Sequence, residues 1–179
     1  MTKIAFFDVD GTLVGDSSVP TQATIDIVHR FQELGNLAFI CTGRSKPEIL
    51  PDIMAIGFDG IIGAGGGYIS NGDEILHHHT MPEKAVREII DFFDAHKIGY
   101  YLESNSGLFG SKYYKDTIQE TIEAYCQGDE EKIAQLTTAN QWFYDLIDSF
   151  AASEIDYADV NKISFINREV AYQEIADKF

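Results

Sequence analysis

Two carboxylates one residue apart end the first apolar run of the sequence. The strand-like run Lys3–Phe7 is followed by Asp8, Val9 and Asp10, and then at once by Gly11. Aspartate is a poor strand former and like charges this close repel each other, so packing does not explain the pair. On an extended chain, residues two apart point the same way, so the two carboxylates converge while Val9 turns inward. A hard cation such as Mg²⁺ would offset the paired charge, because it prefers carboxylate, carbonyl and water oxygens.

This arrangement of acids suits phosphoryl transfer. With Mg²⁺ held by Asp8 and Asp10, an incoming phosphate would be shielded from their negative charge. One carboxylate would then attack phosphorus while the other moves protons on the leaving oxygen. Gly11 permits a tight turn that exposes backbone N–H groups to an anion, so we expect Val9 and Gly11 to be phosphate-binding positions.

A second polar cluster ends the next apolar run. Residues Leu37–Arg44 have the pattern of a buried strand that finishes in Thr42, Gly43 and Arg44. In open α/β sheets ligands bind outside the carboxyl ends of the strands, and both clusters lie at such ends. We expect Thr42 and the backbone of Gly43 to bind the phosphoryl oxygens. Arg44 either contacts the substrate or its phosphate, or pairs with one of the many acids of the chain.

The segments between the clusters predict the elements that would bring them together. An apolar stripe predicts a helix over residues 21–34, capped by Thr21 and stopped at Gly35. The capping-box spacing of Ser45–Glu48 predicts a second, short helix that ends near Gly57. The apolar run Gly60–Gly65 predicts a third strand. Alternation of strands and helices is typical of βαβ units and of a parallel sheet.

The character of the sequence changes near residue 80. Before it, the dipeptide Asn71-Gly72 predicts a type I′ hairpin. After it, strand-like runs such as Gly99–Ser104 and Val160–Ile166 mix with helical stretches, the last of them predicted over Glu169–Phe179. We therefore expect two domains, a parallel-sheet α/β domain over residues 1–80 and an α+β domain over residues 81–179.

Charge and composition exclude several kinds of partner. Lysine and arginine total 13 against 29 aspartate and glutamate residues, and the net charge of −16 repels nucleic acid and anionic membrane surfaces. An anionic substrate would need a bound cation to overcome this field. The two cysteines have no CxxC spacing and the N-terminus has no signal-peptide pattern, so we expect a cytoplasmic location. No apolar run approaches the roughly 20 residues that span a bilayer.

Two of these motifs together resemble a known family. DVDGTL at Asp8–Leu13 and CTGR at Cys41–Arg44 resemble motifs I and II of the haloacid dehalogenase (HAD) superfamily. TGR in particular resembles the Cof-type phosphatases, which have a large α/β cap of the C2 type. The resemblance implies a HAD-like, Rossmannoid parallel-sheet core with an α+β cap inserted after its third strand. It also implies a Mg²⁺-dependent phosphatase that acts on a small phosphorylated metabolite such as a sugar phosphate.

The resemblance also assigns roles to individual residues. Asp8 is implied to be the nucleophile that becomes an aspartyl-phosphate. Asp10 is implied to be the general acid and base, and its main-chain carbonyl also to ligate Mg²⁺. Thr42 is implied to hold the phosphoryl group. Asp8 and Asp10 are accordingly the metal ligands expected in this chain.

The sequence departs from the family pattern in its second half. Members continue after the cap with a lysine motif and a GDxxND motif that completes the Mg²⁺ site, and neither motif occurs in this sequence. GDEE at Gly128–Glu131 is better interpreted as a helix start. We therefore expect an incomplete core and a chain that resembles the N-terminal portion of a longer enzyme. The exposed sheet edge and apolar surface of such a core would favour either self-association or the binding of a partner fragment. The alternative function is a catalytically impaired fragment that serves as a binding or interaction module.

Overall fold

A computed structural model of the chain describes residues 1–15, 19–167 and 170–179. The chain forms two compact units, Met1–Thr80 and Met81–Phe179. Each unit has its own β-sheet and its own buried apolar cluster. The interpretation of the first unit as a catalytic core and of the second as its cap stays a prediction.

The described part of the first unit contains a five-stranded sheet whose strands follow the order of the sequence. They are β1 (Ile4–Phe7), β2 (Leu37–Cys41), β3 (Gly60–Gly63), β4 (Tyr68–Asn71) and β5 (Glu74–His78). β1, β2 and β3 run parallel, with Phe7 opposite Ile40 and Ile40 opposite Ile61. β4 and β5 continue the sheet as antiparallel strands. The predicted α/β fold with a parallel sheet is confirmed, and the carboxyl ends of β1 and β2 lie side by side.

Two helices of this unit, α1 (Gln22–Glu33) and α2 (Pro51–Met54), lie on one face of the sheet. The Thr21 side chain caps α1 by accepting a hydrogen bond from the N–H of Thr24 at 3.2 Å, and Gly35 ends the helix with φ at 78°. Both features agree with the sequence prediction. Helices and strands share a core of buried apolar side chains, among them Val28, Ala38, Ile40, Ile53, Ile56 and Ile61.

The prediction of one continuous helix from Ser45 to about Gly57 is wrong. The segment forms a 3₁₀ turn at Lys46–Glu48 and then the four-residue α2. Leu50 between them is extended, with ψ at 153°, because the residue before a proline is pushed out of the helical region and Pro51 follows. The proline that starts α2 therefore also ends the preceding turn.

The hairpin between β4 and β5 exists, but its turn type differs from the prediction. Asn71 pairs with Glu74, so the central residues of the turn are Gly72 and Asp73. Of these two, Gly72 has a positive φ of 56° and Asp73 does not. A type I′ turn needs a positive φ at both central residues, so this turn is not of that type.

The described part of the second unit contains a three-stranded antiparallel sheet. Its strands are β6 (Gly99–Ser104), β7 (Leu108–Gly110) and β8 (Val160–Ile166), in the order β7-β6-β8. Its helices are α3 (Glu83–Ala95), α4 (Tyr114–Cys126), α5 (Glu130–Ala139), α6 (Gln141–Asp148) and α7 (Tyr172–Lys178). β6 and β8 have the predicted bounds, whereas the predicted start of the last helix at Glu169 lies outside the described residues.

The GDEE segment is a helix start, as the sequence indicates. Asp129 is the N-cap of α5, and its side chain accepts a hydrogen bond from the N–H of Lys132 at 3.1 Å. Among the helices of the described ranges, none is long and apolar enough to cross a membrane.

A buried carboxylate joins two strands of the second unit. Glu103 on β6 is fully buried, lies 2.7 Å from the ammonium of Lys162, and accepts a hydrogen bond from the Ser164 hydroxyl at 2.5 Å. Both partners belong to β8, and Lys162 pairs with Glu103 in the strand register. Because a buried charge is costly unless it is paired, this contact should contribute strongly to the stability of the unit.

We expect Lys162→Met to lower the free energy of unfolding of the second unit by about 2–4 kcal/mol, because it leaves the Glu103 carboxylate buried without its counter-ion. The value lies below the cost for a fully buried pair because 37% of the Lys162 side chain is exposed. Urea denaturation followed by the fluorescence of Trp142, the single tryptophan of the chain, measures the change.

The double variant Glu103→Gln, Lys162→Met is the matched control. It removes both charges and should recover most of the lost stability. If the double variant is as unstable as Lys162→Met, the loss comes from packing around the lysine stem and not from the unpaired carboxylate.

Candidate active site

The two polar clusters of the sequence follow the carboxyl ends of β1 and β2, which are neighbouring strands of the first unit's sheet. Asp8 follows β1 directly, Thr42 follows β2 directly, and the two strands are parallel neighbours. Val9 is fully buried, whereas Asp8 and Asp10 are exposed. The alternation expected for residues on an extended chain is therefore present where the carboxylates lie.

A tight turn carries the two aspartates. The carbonyl oxygen of Val9 accepts hydrogen bonds from the N–H groups of Thr12, Leu13 and Val14 at 3.0–3.3 Å. Gly11 has φ at 77°, a region that glycine enters without steric cost. Its N–H donates to the carbonyl oxygen of Val14 at 2.9 Å. A phosphate contact at Gly11 therefore cannot use this N–H group while the turn is intact, which corrects one detail of the expectation.

An ion pair joins the turn after β1 to the loop after β2. The Nε and Nη2 atoms of Arg44 donate to the two carboxylate oxygens of Asp10 at 2.9 and 2.7 Å. Nη1 donates to the carbonyl oxygen of Glu48 at 2.8 Å. The Arg44 side chain is 9% exposed and that of Asp10 62%. Of the two interpretations of Arg44, the structure shows the pairing with an acid, and a contact with substrate stays a prediction.

Hydrogen bonds hold the loop after β2 against the loop after β3. The Thr42 hydroxyl accepts a bond from the N–H of Arg44 at 3.1 Å. The carbonyl oxygens of Thr42 and Arg44 accept bonds from the N–H groups of Gly65 at 3.2 Å and Ala64 at 2.7 Å. Thr42 is buried and Gly43 is exposed. The structure thus brings Arg44 to Asp10, places Thr42 directly after the strand that neighbours β1, and leaves Gly43 exposed.

The buried residue Glu48 contacts Arg44 through its main-chain carbonyl and Ser45 through its side chain. The carboxylate of Glu48 accepts hydrogen bonds from the N–H and the hydroxyl of Ser45, both at 2.7 Å. The capping-box spacing in the sequence predicts this contact. The sequence analysis does not predict that the main-chain carbonyl of Glu48 is an acceptor for Arg44, because any residue type at that position would offer the same oxygen.

Arg44 also favours the ionised form of the Asp10 carboxyl group. Its hydrogen bonds to the carboxylate lower the pKa of Asp10 below the ordinary range, and its positive charge adds to this effect, while partial burial opposes it. In the folded chain Asp10 is therefore ionised over a wider pH range than a free aspartate.

Asp8 and Asp10 offer oxygen atoms of the kind that magnesium prefers as ligands. Asp8 offers an exposed carboxylate, whereas both carboxylate oxygens of Asp10 are bonded to Arg44, which leaves its main-chain carbonyl as a donor. Within the ranges that the structure describes, no group of three or more histidine, cysteine, aspartate or glutamate side chains is placed to hold a metal. Mg²⁺ commonly binds one or two carboxylates and keeps several waters. The two aspartates therefore fit a loosely held magnesium ion and do not form a closed site.

The family of the chain follows from its sequence match. Residues 5–179 match the family of haloacid dehalogenase-like hydrolases. Since the match covers nearly the whole chain, the protein belongs to this family.

Individual relatives agree with this assignment. The Bacillus subtilis (strain 168) protein named "Putative phosphatase YkrA" is 29% identical over 97 residues, which are 54% of this chain and 37% of that protein. The solved structure of a Geobacillus kaustophilus HTA426 protein is similar in fold, with a TM-score of 0.72 and 18% sequence identity. The superposition covers 99% of this chain and 62% of the Geobacillus chain. The solved structure of the sugar phosphatase BT4131 is also similar, with a TM-score of 0.56 and 22% sequence identity. That superposition covers 83% of this chain and 50% of the BT4131 chain. The chain thus spans less than two thirds of the length of each of these relatives.

We expect Asp10→Asn to lower the free energy of unfolding by about 1–2 kcal/mol at neutral pH, a value reduced from that of a buried pair because the carboxylate is exposed. Since folding lowers the pKa of Asp10, the stabilisation is complete above the ordinary aspartate range and disappears as the pH falls through the lowered value. The stability difference between wild type and variant should therefore be constant from about pH 7 to 5 and shrink below about pH 4.

Urea denaturation followed by far-UV circular dichroism measures this difference. Asp26→Asn is the control, because Asp26 is exposed on α1 and hydrogen-bonded to Gln22 at 2.8 Å, away from the ion pair. A difference for Asp10→Asn that does not change with pH would contradict an electrostatic origin.

Proposed function

We propose that the chain is a Mg²⁺-dependent phosphatase of the Cof type that hydrolyses a small phosphorylated metabolite through an aspartyl-phosphate on Asp8. The observation that carries the proposal is the ion pair between Asp10 and Arg44, which joins the ends of β1 and β2 beside the exposed Asp8. Family membership supports the same reaction class.

The proposed reaction has two steps. In the first, a carboxylate oxygen of Asp8 attacks phosphorus, the ester P–O bond breaks, and the leaving oxygen takes a proton from Asp10. In the second, water attacks the phosphorus, passes a proton to the Asp10 carboxylate, and displaces Asp8. Inorganic phosphate leaves and both aspartates return to their starting state.

The remaining groups would bind and orient the phosphoryl group. Thr42 and Gly43 follow β2, the strand next to β1, and we propose the Thr42 hydroxyl and the Gly43 backbone N–H as the donors to the phosphoryl oxygens. A magnesium ion at Asp8 and Asp10, when bound, supplies the positive charge that lets an anionic phosphate approach two carboxylates.

Asp10 is the proton donor in the first step and the proton acceptor in the second, and the contact with Arg44 favours the second role. A lowered pKa favours the carboxylate, which is the form that accepts a proton from water in the second step. The first step needs the protonated form. Loosening of the Arg44 contact when substrate binds would raise the pKa of Asp10 and favour proton donation to the leaving oxygen.

The substrate class is supported by comparison and by charge. BT4131 is a sugar phosphatase, and its structure resembles this chain in fold. A net charge of −16 disfavours polyanionic substrates such as nucleic acid, so we propose a small phosphorylated metabolite such as a sugar phosphate. A cytoplasmic location belongs to the same proposal, since Cys41 and Cys126 are both free thiols.

We expect magnesium-dependent release of p-nitrophenol from p-nitrophenyl phosphate, and we expect Asp8→Asn to reduce the rate by at least about 100-fold because the nucleophile is lost. The matched control is Asp26→Asn, which removes one exposed carboxylate elsewhere in the same unit and should retain wild-type activity. Chelation of magnesium should abolish activity in the wild type and in the control alike.

The alternative is a catalytically impaired chain that serves as a binding or interaction module. It is favoured by the two-aspartate donor set, which lacks further acidic ligands within the described residues. Equal, background-level rates for wild type and Asp8→Asn would support this alternative and contradict the phosphatase proposal.

A further inference from the structure

The two aspartates after β1 differ in what holds their side chains. The Asp8 side chain is exposed and accepts no hydrogen bond from any residue in the described ranges. Both carboxylate oxygens of Asp10, in contrast, accept hydrogen bonds from Arg44 at 2.9 and 2.7 Å. Two residues of the same type, one position apart from being neighbours, therefore present different groups to a ligand.

The main-chain carbonyl of Asp10 is not engaged by the turn. The hydrogen bonds of the turn run to the carbonyl oxygens of Asp8, Val9 and Val14, and no group of the described residues donates to the carbonyl oxygen of Asp10. Carbonyl oxygens, like carboxylates, suit Mg²⁺ and Mn²⁺. The turn therefore leaves a cation two kinds of donor, the Asp8 carboxylate and the Asp10 main-chain carbonyl.

Arg44 is held by contacts other than the one with Asp10. Its Nη1 donates to the carbonyl oxygen of Glu48 at 2.8 Å, and its main-chain N–H donates to the Thr42 hydroxyl at 3.1 Å. Its main-chain carbonyl accepts a bond from the N–H of Ala64 at 2.7 Å. The side chain is 9% exposed. Because the guanidinium is fixed in this way, Arg44 orients the Asp10 carboxylate and not the reverse.

A guanidinium and a divalent cation compete for the same carboxylate. A cation ligated by an Asp10 carboxylate oxygen would lie close to the positive charge of Arg44, which binds both of these oxygens, and the two cations would repel each other. The planar guanidinium matches the two oxygens as a fork, a geometry that a lysine does not provide. The Asp10 side chain is therefore disfavoured as a metal ligand.

We propose that Arg44 is a positioning residue that withholds the Asp10 side chain from the metal. It leaves Asp8 as the carboxylate ligand and keeps the Asp10 carboxylate for proton transfer, so that two chemically equivalent side chains have different roles. Without Arg44, both carboxylates would be open to the cation, which would bind more tightly and support less turnover. The catalytic consequence rests on the proposed function, whereas the effect on metal affinity does not require turnover.

Titration of the full chain with Mn²⁺ tests the proposal. Mn²⁺ accepts the same oxygen ligands as Mg²⁺, and electron paramagnetic resonance measures the free ion. We expect Arg44→Met to bind Mn²⁺ at least about 10-fold more tightly than the wild type, because the Asp10 carboxylate becomes a second charged ligand. Asp8→Asn identifies the binding that belongs to this site, since it removes the carboxylate ligand and should weaken that binding.

Further variants show whether the gain in affinity comes from Asp10. The double variant Arg44→Met, Asp10→Asn should return to within about threefold of the wild type, because the released carboxylate is absent. Arg30→Met removes an exposed positive charge from the last turn of α1 and should bind Mn²⁺ like the wild type. Arg44→Gln, which retains an amide donor for the Glu48 carbonyl, is measured beside Arg44→Met. If circular dichroism shows that neither folds, Arg44 is required by the fold itself and the positioning role is overturned.

Turnover separates this inference from the proposed function. In a wild type that hydrolyses p-nitrophenyl phosphate, Arg44→Met at saturating magnesium should lower kcat by at least about 10-fold, because Asp10 no longer transfers protons. An inactive wild type would contradict the phosphatase proposal and leave the Mn²⁺ prediction in force. The inference itself is overturned if Arg44→Met binds Mn²⁺ no more tightly than the wild type, or if the double variant keeps the gain.

Discussion

The candidate site depends on the ion pair between a buried guanidinium and an exposed carboxylate. Arg44 binds Asp10 with two nitrogens and the Glu48 carbonyl with the third, so one side chain connects the turn after β1 with the 3₁₀ turn that follows β2. Without Asp10 its charge would be almost fully buried and uncompensated, which is the costly situation for an ion pair. The positions of the turn after β1 and of the loop after β2 are therefore coupled through charge as well as through the sheet.

Both units contain a buried charge, and both place its partner nearer to solvent. In the first unit the cation is buried and the Asp10 carboxylate is 62% exposed. In the second unit the Glu103 carboxylate is buried and 37% of the Lys162 side chain is exposed. Keeping one partner hydrated limits the desolvation cost of the pair, while the buried partner gains directional hydrogen bonds. The exposed partner is then also the one that a ligand can reach, which for Asp10 is what the proposed chemistry requires.

The sequence predicts those features that depend on local chemistry. Period-two alternation places Val9 inside and the aspartates outside, Thr21 and Asp129 cap their helices, and β6 and β8 begin and end where the apolar runs do. It does not predict features that depend on a partner distant in the chain. The carboxylate that Arg44 binds lies 34 residues away, and nothing in the residue types selects Asp10 over the other acids. Short elements such as β7, with three residues, carry too little pattern to be distinguished from a loop.

The alternation along β1 also ties the candidate site to the exposed apolar side chains of the same strand. Ile4 and Phe6 are alternate, exposed residues of β1, and the proposed nucleophile Asp8 follows two residues after Phe6. A polypeptide that covers Ile4 and Phe6 would remove water close to Asp8 and strengthen electrostatic interactions there. Whatever covers this side of β1 therefore alters the environment in which the aspartates would bind a cation and a phosphate.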